Sequence, residues 1–150
     1  MKIDVVELLI RKSHTIEIPG IDRKIYGVES AGLIFCQSIG SRNIEHVALL
    51  SLDSTNSVIN YGIVSIGEIN SVRVSLAQLF KVALLSNASK IIVAHNHPSG
   101  ILSVTERDIK MTKKIAFIAN CFEIELIDSL IVSADKAISI REYCGENKNE

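Results

Sequence analysis

The chain has few of the features that mark membrane, secreted or nucleic-acid-binding proteins. No apolar run approaches the roughly 18 residues that a helix needs to cross a bilayer. The short apolar stretch Val5 to Ile10 is interrupted by Glu7, unlike the core of a secretory signal. Lys and Arg (16) nearly balance Asp and Glu (17), so no general positive charge attracts nucleic acid. We therefore expect no membrane segment and no strong direct contact with DNA.

Cysteine is also scarce, and its pattern does not suggest a disulfide framework. The three cysteines, Cys36, Cys121 and Cys144, are odd in number and widely spaced, and none forms a Cys-x-x-Cys pair. Reduced thiols in a cytoplasmic protein are the simplest interpretation of this usage.

The composition of the 150 residues, 47% hydrophobic and 22% charged, is that of a globular domain with a sizeable core. Residues 1–27 read as an irregular or β-containing lead-in, residues 28–144 as the domain, and residues 145–150 as a polar, flexible tail. Apolar spacing predicts helices alternating with strands, and hence a mixed α/β sandwich. The predicted helices are Val28–Ile39, Ser75–Leu85 and Glu106–Ala119, and the predicted strands are Val47–Leu52, Val58–Ile66, Lys90–Ala94, Phe122–Ile127 and Ser129–Val132.

The most informative segment is His95 to Gly100, which reads His-Asn-His-Pro-Ser-Gly and is followed by Asp108. If the chain is extended up to His97, both imidazoles leave the same face, because side-chain direction repeats every two residues in a strand. Zinc accepts imidazole nitrogen and carboxylate oxygen, and three protein ligands leave a fourth position open, as in catalytic sites. The spacing therefore indicates His95, His97 and Asp108 as ligands of a catalytic Zn²⁺.

Simpler structural roles compete with this interpretation. A single histidine, such as His14 or His46, is more often a core or surface residue with its hydrogen bonds satisfied than a metal ligand. If Thr105 caps the third helix, Asp108 occupies the position where an acidic side chain completes a capping box and suits the helix dipole. We expect Asp108 to serve both roles in part, with one carboxylate oxygen directed to the metal.

Two other zinc enzyme classes are excluded on their motifs. The chain has no His-Glu-x-x-His, the motif of the common helical zinc proteases. It also lacks the His-x-Glu and Pro-Cys-x-x-Cys pair of zinc nucleobase deaminases.

The complete pattern resembles the signature of the JAMM (MPN+) metalloenzymes: His-x-His, ten residues, then Asp, with a glutamate well upstream. The run His-Asn-His-Pro-Ser-Gly is similar to the bacterial RadC branch in particular. The resemblance covers roughly Glu45 to Ile140. It implies a cytidine-deaminase-like fold of the JAMM/MPN type, an α/β three-layer α-β-α sandwich with a mixed sheet.

The resemblance also implies a role for each site residue. His95, His97 and Asp108 would bind Zn²⁺. Glu45 would act as general acid/base, taking a proton from zinc-activated water and passing it to a leaving amine. Thr105 matches the position of a serine that helps to stabilise the tetrahedral intermediate.

The chain departs from the RadC pattern at several positions. Asp128-Ser129 stands where Asp-His is common, so we expect a contact behind the metal ligands to be missing. Glu68 follows Gly67 where threonine is usual, and Val104 replaces an expected proline. The helix-hairpin-helix module expected before the domain is absent from this sequence, in agreement with the near-neutral charge.

The function implied by the resemblance is a zinc-dependent hydrolase of peptide or isopeptide bonds that acts on a peptide or protein substrate. Two alternatives stay open. One is a DNA repair or recombination accessory protein in which the domain acts as an interaction module. The other is a zinc-stabilised domain without catalysis. The apolar content leaves surface for a homodimer.

Overall fold

The computed structural model describes residues 1–67 and 76–146. The predicted helix start at Ser75, the departure at Glu68 and the end of the polar tail (147–150) lie outside these residues. No helix within the two described ranges is long and apolar enough to cross a membrane. In chain order the elements are α1 (Val28–Phe35), β1 (Glu45–Leu52), β2 (Val58–Gly67), α2 (Leu76–Leu85), β3 (Lys90–Asn96), α3 (Glu106–Cys121), β4 (Glu125–Val132), β5 (Ala137–Ser139) and α4 (Ile140–Glu146).

The strands form one mixed sheet between two layers of helices. Their order is β2-β1-β3-β4-β5, with β3 and β4 parallel and the other neighbours antiparallel. One apolar core lies between the sheet and α1, and a second lies between the sheet and the pair α2 and α3. The predicted fold class, a three-layer α-β-α sandwich with a mixed sheet, is confirmed.

Strand β3 lies in the middle of the sheet and is apolar on both faces. Ile92 and Ala94 belong to the core on the α1 side, whereas Ile91 and Val93 belong to the core on the α2 and α3 side. Such a continuous apolar run is expected of a strand that is buried on both faces. The same alternation directs His95 towards α3 at the end of the strand.

The structure corrects the prediction of two closing strands, Phe122–Ile127 and Ser129–Val132. Phe122 lies in the turn that ends α3, and Glu123 has a positive φ of 58°, so the strand begins only at Glu125. The strand then continues through Asp128-Ser129 to Val132. Both polar side chains are buried in the sheet and do not form the exposed turn that would divide it. Asp128 accepts hydrogen bonds from the Ser139 hydroxyl (2.6 Å) and the Ser129 N–H (2.7 Å).

The two ends of the domain also differ in detail from the prediction. Residues 1–27 contain no regular strand, although Lys24 forms one isolated antiparallel bridge to Ser57. The first helix is α-helical to Phe35 and then continues as a π-helical turn, Cys36–Gly40. At the other end β5 and α4 were not predicted, and α4 includes two residues that had been assigned to the tail.

Gly40 allows the π-helical turn to pack against the loop between β4 and β5. A methyl group at this position would collide with the carbonyl group of Ser133. We expect Gly40→Ala to lower the free energy of unfolding by about 1–3 kcal/mol, the usual cost of overpacking. Urea denaturation measures this change. Gly62→Ala is the control, because its Cβ would make an ordinary contact 3.7 Å from Val82; equal losses in both variants would contradict the assignment.

Candidate metal centre

The two imidazoles predicted as ligands meet at the end of β3. His95 Nε2 lies 3.1 Å from His97 Nε2, and both rings are partly buried. The side-chain alternation of the strand therefore continues through His97, as the sequence predicted.

A tight turn fixes the ring of His97. The N–H of Gly100 donates to the carbonyl of His97 (2.8 Å), and Gly100 has the positive φ (74°) that glycine adopts without strain. The turn brings the carbonyl of Ile101 to within 3.0 Å of His97 Nδ1. Because a carbonyl can only accept, Nδ1 carries the proton in this hydrogen bond, which leaves the lone pair of Nε2 free to face His95.

The two carboxylate oxygens of Asp108 have different partners, one in the cap of α3 and the other in the candidate metal site. Thr105 caps α3 and forms a capping box with Asp108, in which Oδ2 accepts from the N–H (2.8 Å) and the hydroxyl (2.7 Å) of Thr105. Oδ1 lies 3.1 Å from His95 Nε2. Burial acts to raise the pKa of Asp108, but hydrogen bonds from His95 and Thr105 outweigh it and hold that pKa well below its usual range. The capping role and the site role proposed from the sequence are thus compatible.

The hydroxyl of Thr105 is fully engaged in this cap. It donates its only proton to Asp108 Oδ2 and accepts from the Asp108 N–H (3.3 Å). The stabilisation of an oxyanion by Thr105 stays a prediction, and the hydrogen bonds give this side chain a different task, the orientation of Asp108.

Glu45 begins β1 and lies at the same end of the sheet. It lines a cleft of about 50 Å³ together with His95, Asp108 and Arg107. Its Oε2 is buried and has no hydrogen-bond partner among residues 1–67 and 76–146. Burial raises the pKa of Glu45, and the nearby His95 and Arg107 only partly counteract this effect. An unpartnered carboxylate oxygen is costly to bury, and such groups are found where function requires them.

The donor set fits a divalent metal ion. One ligand atom from each of His95, His97 and Asp108 lies within 4.8 Å of the other two. Ligand atoms around one tetrahedral zinc ion are roughly 3.3 Å apart, from bond lengths of about 2.0–2.1 Å, and two of the contacts here are 3.1 Å. These three residues could therefore hold a metal ion with little movement, beside a carboxylate that is not part of the set.

Asn96 is a residue of the site that the sequence did not identify. Its side chain is fully buried on the opposite face of β3, where Oδ1 accepts from the N–H of His46 (2.6 Å). Its amide group donates to the carbonyls of Arg42 and Ile44, both at 3.1 Å. These hydrogen bonds hold the backbone on both sides of Glu45, so the strand that delivers the ligands also positions Glu45.

The remaining histidines have the structural roles that were expected of them. His46 is buried, and its Nδ1 donates to the carbonyl of Ile44 (2.9 Å). His14 is exposed beside Ser13. Two further residues, Arg107 and Ser129, line the cleft beside Glu45 and were not assigned to the site from the sequence.

Removal of the Asn96 side chain should destabilise the domain. Asn96→Ala leaves the buried N–H of His46 without its acceptor, at a cost of about 1–3 kcal/mol, and removes one donor each from the carbonyls of Arg42 and Ile44. Asn96→Asp keeps the acceptor for His46 and loses both donors, so we expect it to be destabilised as well. Urea unfolding measures both variants against the control Asn120→Ala, which alters an exposed residue of α3. If Asn96→Ala is as stable as that control, Asn96 does not hold the backbone around Glu45.

The raised pKa of Glu45 predicts a pH-dependent effect of Glu45→Gln in metal-free protein. Between the unfolded and the raised folded pKa, the folded state retains a proton that the unfolded state releases, so wild-type stability falls as pH rises through this window. Glutamine does not titrate, and the variant escapes this loss. We expect its melting temperature to gain on wild type as pH rises above the ordinary pKa of a glutamate side chain, about 4.3. A pH-independent difference, or the same gain in the exposed control Glu17→Gln, would show that Glu45 is not responsible.

Comparison with known proteins agrees with this geometry. Residues 25–146 match the model of the RadC-like JAB domain family. A UPF0758 protein of Finegoldia magna is 37% identical over 114 residues, which cover 76% of this chain and 51% of that protein. UPF0758 proteins of Chloroflexus aurantiacus and Geobacillus thermodenitrificans are 37% and 38% identical over 98 residues, 65% of this chain and 43% of each relative. The chain thus spans about half the length of these relatives, and it belongs to the RadC-like JAB domain family.

Proposed function

We propose that this chain is a zinc-dependent hydrolase of amide bonds, peptide or isopeptide, with Glu45 as general acid/base. The observation that carries the proposal is the juxtaposition at the end of β3. Three donor atoms, from His95, His97 and Asp108, lie within 4.8 Å of one another. The buried, unpartnered Oε2 of Glu45 lines the same cleft.

His97 and Asp108 are already in the state that a metal requires, whereas His95 Nε2, which donates to Asp108 Oδ1, would release its proton when an ion binds. His97 gives its Nδ1 proton to the carbonyl of Ile101, so Nε2 is the atom that would bind. Asp108 is held by Thr105 through Oδ2, so Oδ1 is available. The low pKa of Asp108 keeps the carboxylate ionised without any metal. A bound Zn²⁺ supplies Lewis acidity and lowers the pKa of water towards about 7.

Glu45 would move the proton. Oε2 has no hydrogen bond to the part of the chain that the structure describes and can accept a proton within the cleft. Burial raises the pKa of Glu45, which makes its carboxylate a stronger base than an exposed one. The hydrogen bonds of Asn96 to the backbone around Glu45 would keep this carboxylate in place during both transfers.

The substrate class belongs to the same proposal. The substrate would be a peptide or protein, and the cytoplasmic location and the homodimer stay predictions. The relatives are named only as UPF0758 proteins, a name that states no activity. The DNA-repair alternative is supported only by the RadC name, and no feature of the site favours it.

Two substitutions separate metal binding from catalysis. His95→Ala should lose bound zinc, because it removes the atom that lies 3.1 Å from both other ligands. Glu45→Gln should retain zinc and lose turnover by about a hundredfold or more, since general acid/base catalysis typically contributes factors of 10²–10⁴. Zinc content of the purified protein measures the first effect, and cleavage of quenched fluorescent peptide and isopeptide libraries measures the second. His14→Ala is the control for both measurements, because His14 is exposed in the N-terminal segment and is not part of the site.

The opposite outcomes would refute specific parts of the proposal. Full zinc content in His95→Ala would refute the ligand set. Unchanged turnover in Glu45→Gln would refute the mechanism. A chelator that lowers the melting temperature of wild type, together with no cleavage of either library, would favour the zinc-stabilised domain without catalysis.

A further inference from the structure

A basic surface lies directly beside the cleft, on the outer face of α3. We define it by Arg107, Lys110 and Lys114, which line an open depression of about 450 Å³ with Glu106 and Met111. Arg107 and Met111 also line the cleft that contains Glu45 and His95. The depression under the basic surface is therefore continuous with the cleft, because Arg107 and Met111 line both.

The helix repeat concentrates this charge on one face. Residues three, four and seven positions apart share a side of an α-helix, as Arg107, Lys110 and Lys114 do. All three side chains are exposed. Lys113 is also exposed on α3 and lies three positions after Lys110, at the edge of this row. The surface has three positive charges and one negative charge, although the whole chain has a net charge of -1.

The size of the basic surface decides between two kinds of anionic partner. Seven residues of helix between Arg107 and Lys114 span about 10 Å, the length of about three residues of extended peptide. Proteins that bind DNA through its backbone commonly neutralise roughly six to ten phosphates. A short row of three cations beside a cleft for amide hydrolysis therefore fits an acidic peptide segment better than a nucleic acid.

We propose that the basic surface of α3 binds an acidic segment of the polypeptide substrate and thereby selects which amide bond reaches the cleft. This inference rests on the proposed function, because it names the substrate class of that same site. Acidic residues would lie on one side of the scissile bond, in contact with Lys110 and Lys114. Their attraction would be electrostatic and would weaken with added salt.

Peptide binding tests this inference without turnover. The probes are fluorescein-labelled octapeptides of alternating Glu and Gly, Gln and Gly, or Lys and Gly, titrated with the zinc-loaded full chain at low salt and followed by fluorescence anisotropy. We expect the Glu peptide to bind about five-fold to ten-fold more tightly than the Gln peptide, from a few exposed ion pairs. The double variant Lys110→Gln/Lys114→Gln should lose this preference. The matched control Lys2→Gln/Lys12→Gln, which removes the same charge from the exposed N-terminal segment, should keep it.

A charge-reversal variant distinguishes a lost binding preference from a loss of folding. Lys110→Glu/Lys114→Glu should invert the preference, so that the Lys peptide binds more tightly than the Glu peptide. Equal binding of Glu and Gln peptides to wild type, or an unchanged preference in the Gln double variant, would overturn the inference. A DNA duplex that displaces the Glu peptide, and itself binds more weakly to the Gln double variant, would overturn it in favour of a nucleic-acid surface.

The outcomes for this surface and for the catalytic site can be told apart. Loss of zinc in His95→Ala and loss of turnover in Glu45→Gln concern the proposed function, and neither substitution touches Lys110 or Lys114. If amide cleavage is confirmed, kcat/KM for a cleavable substrate should fall when its acidic residues are replaced by Gln. Unchanged kcat/KM after that replacement would overturn the surface and leave the catalytic proposal intact.

Discussion

The alternation of side chains at the end of β3 is the constraint on which the site depends. Because consecutive residues of a strand point to opposite faces, His95 faces α3 and meets Asp108, whereas Asn96 faces the other core and holds the backbone around Glu45. One strand end thus sets the position of the proposed metal ligands and of the proposed proton carrier. A shift of register by one residue would exchange the two faces and separate all of these groups.

The cap of α3 connects the stability of the fold to the geometry of the site. A carboxylate near the start of a helix stabilises it through the capping box and the helix dipole, typically by about 1 kcal/mol. Here the cap occupies only Oδ2 of Asp108 and directs Oδ1 towards His95. The same hydrogen bonds from Thr105 lower the pKa of Asp108. The side chain therefore needs no metal to be ordered or ionised, which reduces the cost of forming the site when an ion binds.

Local signals were enough to predict the fold class and the convergence of His95, His97 and Asp108. His95, His97 and Asp108 lie close in sequence, on one strand end and the first turn of one helix, so their spacing alone limits where they can point. Asn96 and Arg107 were missed because their roles depend on which elements become neighbours. The division of β4 was wrong for the same reason: Asp128-Ser129 looks like a turn in sequence, but Ser139 supplies a partner from the adjacent strand and makes the buried carboxylate tolerable.

The cleft is small, so the substrate would be recognised mainly by the surface around it. A volume of about 50 Å³ leaves room for only a few water molecules. Residues on either side of a scissile amide must then contact the surface around the cleft. Arg107 is part of both the cleft and the basic surface, so the charge that would attract an acidic segment also lowers the pKa of Glu45 in part.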